Sequence, residues 1–239
     1  MTGVFRKVLG SVAGVTAAVM FVSGAAANTA PFSFSGTSSG GTTVDVTASV
    51  TTGNNLLTVT LTNLQHTLNA GMVLSDAFIY LDSAAITSTA SSAQATGNQI
   101  SVNADGSVTG QGPIPTGVTW GVSFTGSTVH LDGLNGSSTP KYTILGPGNA
   151  GPFPFGDANS SITGNGPHNP FIDQTATFVF AVNGITSSTD ITKFGWSFGT
   201  ASGDVVFVPG PIAGAGLPAL VMACGGLLGL ARRRRQRIA

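Results

Sequence analysis

The amino-acid sequence predicts an all-β protein: an antiparallel β-sandwich of jelly-roll type, with a signal helix before it and a transmembrane helix after it. Three observations lead there. Apolar residues recur at every second position through the middle of the chain, the period of a half-buried strand. Turn sequences containing Gly and Asn separate those runs. Glutamate is absent, and between residues 8 and 231 the only basic residues are Lys141 and Lys193, so charged helix formers are scarce.

Taken in order, the chain opens with a basic pair, Arg6-Lys7, and an uncharged apolar run from Val8 to Val22. Ser23 to Ala27 then places small residues at Ala25 and Ala27, the spacing a signal peptidase reads, so residues 1–27 are expected to be a signal peptide cut after Ala27. Residues 28–207, about 180 in all, are enough for one domain with a real core. Within them Val44, Val46, Ala48 and Val50 share one face of the run 43–50, and Leu57, Val59 and Leu61 alternate with threonines in 56–63. The runs 76–81, 118–124, 175–182 and 191–198 alternate likewise. Gly53-Asn54-Asn55, Ala104-Asp105-Gly106, Leu131-Asp132-Gly133 and Asn183-Gly184 are the turns between strands, of which roughly ten are expected at this spacing. Residues 146–170, with Pro147, Pro152, Pro154, Pro167 and Pro170, break the rhythm and read as one long loop.

The chain then changes character. Val208-Pro209-Gly210-Pro211 precedes twenty uncharged residues, 212–231, and the block Arg232-Arg233-Arg234-Arg235. Twenty residues at ~1.5 Å each make a helix about 30 Å long, the thickness of a bilayer's hydrocarbon core, and the arginines act as a cytoplasmic stop. Pro209 and Pro211 fix φ and donate no hydrogen bond, which predicts a segment that is extended and outside any sheet. This order of parts resembles the PEP-CTERM sorting signal of Gram-negative bacteria, with Gly210 where that pattern has glutamate. The resemblance implies an exosortase-type membrane enzyme as partner, an intermediate held in the inner membrane facing the periplasm, and delivery to the cell surface or extracellular matrix. Runs such as 56–63 and 169–172 are similar to the β-rich exported domains of such proteins. An ordinary single-pass anchor is the alternative that needs only the span and the charges.

Charge and motif content narrow the remaining classes. All nine acidic residues are aspartates between Asp45 and Asp204, so residues 28–207, with two lysines against nine aspartates, carry −7. That balance repels polyanions and excludes nucleic acid as a partner. Cys224 is the only cysteine and lies in the uncharged span, leaving no disulfide or cysteine metal site for the domain. Gly146–Gly151 satisfies G-x-G-x-x-G, but Pro152 and Pro154 stand where a phosphate-binding helix would begin. His66, His130 and His168 are far apart in sequence and in no catalytic or metal motif, and Asn103 to Gly106 offers too few oxygen ligands for a calcium loop and suits a turn. No catalytic residue, metal or cofactor is assigned. The expectation is a non-enzymatic surface protein, with extracellular polysaccharide as a candidate partner. The competing class is a glycan-binding module with Trp120, Trp196 or Tyr142 as stacking platforms; Trp196 shares its period with Phe194 and Phe198, which suits a core better.

Overall fold

The computed structural model describes residues 27–83, 86–87, 90–137, 139–201 and 203–211. Among them run twelve strands: β1 (Asn28–Thr37), β2 (Thr43–Gly53), β3 (Leu56–Asn63), β4 (Leu74–Leu81), β5 (Ser92–Val102), β6 (Val108–Pro113), β7 (Thr119–Thr125), β8 (Thr128–Asp132), β9 (Ile144–Leu145), β10 (Phe171–Ala181), β11 (Ile191–Phe198) and β12 (Asp204–Pro209). The alternation does what it implies locally. Val44, Val46, Ala48 and Val50 of β2 and Leu57, Val59 and Leu61 of β3 are all buried, while the threonines between them face outward. The tight β2–β3 connection is closed by Asn55 at φ 56, a left-handed conformation that asparagine tolerates.

The sandwich expectation is corrected by the pairing. All twelve strands belong to one continuous sheet, and six of them close a ring: β10 pairs β5, β5 pairs β7, β7 pairs β8, β8 pairs β4, and β9 bridges β4 back to β10. The fold is therefore a closed six-stranded β-barrel with extra strands outside it, β1–β2–β3 continuing from β10, β11–β12 from β4, and β6 from β5. It is not purely antiparallel either, since β9 runs parallel to β10. Closure rests on β9, through Leu74 opposite Ile144 and Ile172 opposite Ile144. The buried Asn63 amide donates to the Ile144 carbonyl at 3.1 Å and the Met72 carbonyl at 3.0 Å, holding this short strand in place.

The helices expected at the two ends are no part of the described fold. Residues 1–26 and 212–239 lie outside the described residues, and with them Ala25 and Arg232 to Arg235. Among the described residues no helix is long and apolar enough to cross a membrane, and the one helical element is the 3-10 turn Ala70–Met72.

A large core fills the barrel and the space between the two outer wings. Phe32 of β1 stacks on Phe194 of β11 at 5.0 Å, and Trp120 packs on Phe178 at 4.8 Å. A second, smaller core of Val73, Ile100, Val102, Leu145, Phe155, Ile162 and Phe171 lies under residues 146–170. That segment has no strand or helix, yet Phe155 and Ile162 are buried and its backbone bonds to Gly106, Leu68 and Val102. Asn169 completes the fit, its side chain both accepting from the Val102 amide and donating to the Val102 carbonyl.

Candidate functional site

The proline segment is placed differently from the sequence expectation. Val208 and Pro209 are the last residues of β12, opposite Phe194 and Lys193 of β11, and Gly210 donates to the Thr192 carbonyl at 2.7 Å. Hydrogen-bonded and non-bonded pairs alternate along such a ladder, so the nitrogen of Pro209 points away from β11. A proline is tolerated at an edge for that reason, and the prediction of a segment outside any sheet fails there. Gly210 is demanded by space rather than by dihedral angle: a Cβ there would overlap the Ile191 carbonyl oxygen and lie 2.8 Å from the Thr192 carbonyl carbon. Pro211 closes the described chain in a cleft of about 190 Å³, shared with Asn28 to Pro31, Asp190 and Ile191. The Asn28 amide donates to Asp190 at 2.8 Å. Ala27, exposed, and Pro211 thus bring both ends of the domain to one place.

A second constellation lies on the outward face of β4, β8 and β11. Cross-strand partners point to the same side, so the register sets Ser197, Asp76 and Asp132 in one row and Phe78 and His130 in the next. Asp76 is 2% exposed. Burial, together with the charge and hydrogen bond of Asp132, pushes its carboxyl up to about 7, although the Gly133 amide donates to it at 3.1 Å. His130 stacks on Phe78 at 4.3 Å; burial pulls its pKa down against the pull of Asp132. Its Nε2 and the Ser197 hydroxyl are buried without a partner among the described residues. Asp76, His130 and Asp132 line a cleft of about 440 Å³ together with Leu134, Ser137 and Thr200. Held protonated by that burial, the Asp76 carboxyl can donate its hydrogen bond to Asp132.

No family model matches the chain, and no curated protein or solved structure matches it either.

The remaining candidates separate cleanly. Trp120 and Trp196 are 1% and 0% exposed, in the core, and Tyr142 packs against that core while its carbonyl accepts from Trp120 Nε1 at 3.0 Å; none is an open stacking platform. The aromatic band that does face outward is Phe78, Tyr80 and Phe207, and the Lys193 ammonium caps the Phe207 ring at 4.0 Å. Asn103 to Gly106 is a turn: Asp105 accepts from the Ser107 hydroxyl and amide, which hold its carboxyl low. The three histidines stay apart. His66 instead meets Asp157 at 3.0 Å and the Pro147 carbonyl at 2.6 Å, clasping the long loop; burial lowers its pKa, and these two bonds outweigh it to give a net rise. A Ser/Thr surface was not singled out from the sequence although its signal is plain in the polar half of each alternation. On the outer face of β1, β2, β3 and β10, register aligns Thr29 with Thr51 and Thr58, and Ser49 with Thr60 and Thr177. Hydroxyl pairs Thr29–Thr51, Thr60–Thr177 and Thr62–Thr175 sit 2.9, 2.9 and 3.1 Å apart.

Proposed function

We propose that this chain is an exported protein of the cell surface or extracellular matrix, that Val208–Pro211 is read by an exosortase-type membrane enzyme, and that the β domain has a structural, non-enzymatic role. The observation carrying this reading is the order of parts: paired prolines around Gly210, twenty uncharged residues, then Arg232 to Arg235. A plain anchor needs only the last two. The test replaces Pro209 and Pro211 with alanine in a chain tagged at its C-terminus. Pro209 donates no hydrogen bond to β11, so the change leaves the ladder intact and hydrophobicity almost unaltered. The parent should lose its tag and leave the inner-membrane fraction, and the variant should keep both. Equal size and fractionation for the two proteins would leave only the anchor.

One observation favours a second reading, a glycan-binding surface module. The uncharged rows of paired hydroxyls across β1, β2, β3 and β10 present donors and acceptors at the strand spacing of ~4.8 Å, suited to a neutral polysaccharide. Placing carboxylates in this face, Thr60→Asp with Thr177→Asp, should abolish co-sedimentation with insoluble neutral polysaccharide; retention equal to the parent's would dismiss the module.

A further inference from the structure

We propose that the edge of β11 at Ile191–Lys193 is an internal docking site for Val208–Pro211, with Gly210 as its latch, so that a processing enzyme gains the segment only when it peels from the sheet. The inference rests on the processing reading above. Its geometry does not. Val208 packs against the main core, Gly210 bonds to Thr192, and Phe207 lies over Gly195, where any Cβ would meet its ring. The ammonium of Lys193, Pro209's own cross-strand partner, rests on that ring at 4.0 Å.

The latch is selective because of what is missing from Gly210. Its φ is not in the left-handed region, so alanine or glutamate would be tolerated by its own backbone angles and rejected by the Ile191 and Thr192 backbone of β11. A chain with glutamate between the prolines therefore could not dock here, and this chain can. An enzyme that binds its target as an extended strand needs the same backbone groups that β11 already holds. Access adds a second constraint. The uncharged stretch begins at Ile212, one residue after Pro211. Docked, the domain leaves no spacer; peeling four residues at ~3.3–3.6 Å each provides about 13 Å of free chain. Pro209 and Pro211 are both exposed, and neither has an N–H to offer on the side away from β11, so the donors of this segment are those of Val208 and Gly210.

The experiment uses the full chain in membranes and reads amide exchange and processing separately. Gly210→Ala and Phe207→Ala should each speed exchange in 191–193 and 205–210 on the order of tenfold while the β2–β3 ladder is unchanged. Gly112→Ala, where a Cβ meets nothing within 4 Å, is the control. Phe207→Ala keeps residues 208–211 intact, so it should also hasten loss of a C-terminal tag. Exchange no faster than in the Gly112 variant would overturn the latch. Faster exchange with unchanged tag loss in the Phe207 variant would overturn its gating of processing. If the parent and every variant keep the tag, the processing reading itself falls, whereas the exchange result still judges the docking.

Discussion

Asp76→Asn should make this protein more stable, and more so at higher pH. The wild-type carboxyl is buried beside Asp132 and titrates at about 7 instead of 3.8. Between those values it holds a proton in the folded chain and has lost it in the unfolded one. The unfolded state then binds fewer protons, so stability falls as pH rises from about 4 to 7 and levels off above. The displacement corresponds to roughly 4 kcal/mol at ~1.36 kcal/mol per pH unit. Asparagine reproduces the protonated acid: its oxygen still accepts from the Gly133 amide, and its NH2 group donates to Asp132. Urea unfolding of residues 28–211 at pH 4, 5.5 and 7.5 measures the difference. Near pH 4 the two proteins should unfold together; at pH 7.5 the variant should lead by about 2 M urea for a slope of ~2 kcal/mol/M. Other aspartates titrate in both proteins and cancel in the comparison. Parallel pH profiles would refute a proton held on buried Asp76, and a variant weaker even at pH 4 would show that the amide does not reproduce the protonated acid.

Two further outcomes follow from single side chains. Asn63→Ala removes two buried donors from the Met72 and Ile144 carbonyls and should cost roughly 3 kcal/mol by thermal or urea melting, with amide exchange rising first around β9. His66 should titrate above 6.5 by NMR, so the clasp it forms with Asp157 is complete below that pH and lost as pH rises through the folded value; Asp157→Asn should move the titration down and speed exchange in residues 146–170.

What the sequence reveals is which residues face inward; what it withholds is which strands meet. Alternation located β2, β3, β4, β7, β10 and β11 because each keeps its period for at least six residues. It passed over β1, although Ala30, Phe32 and Phe34 alternate, because the run follows directly on the small residues read as a cleavage site. β5 was missed because Gly97, at φ 149, interrupts Ala93–Ala95 before Ile100–Val102. Sandwich and barrel share the same inward set, and the difference is carried by two residues of β9, too few to show any period. The site followed the same rule. Val208–Pro211 was visible as local chemistry, yet its docking on β11 depends on register with residues 191–194. The Asp76–Asp132 and His66–Asp157 pairs join distant segments, and neither partner carries a local signal. Trp120 and Trp196 looked like binding aromatics by type; the parity of Trp196 with Phe194 and Phe198 pointed inward, while the burial of Trp120 came from the structure.

The same register also fixes which end of the domain carries Asn28 and Pro211. Asn28 pairs with Thr52, Ala181 with Leu56 and Ile191 with Leu81, so the chain enters and leaves at one end of the sheet. Asn63, Leu74 and Phe198 mark the opposite end, where residues 146–170 pack on Leu68, Val102 and Gly106. Strands of eight to eleven residues at ~3.3 Å per residue put the two ends about 30 Å apart. On the proposed reading, an attachment through either tail would hold the end bearing Asn28 and Pro211. The long loop and the Asp76–Asp132 cleft point the other way in every case. The Ser/Thr face, which runs along the strands between the two ends, is open to a neighbour in either state.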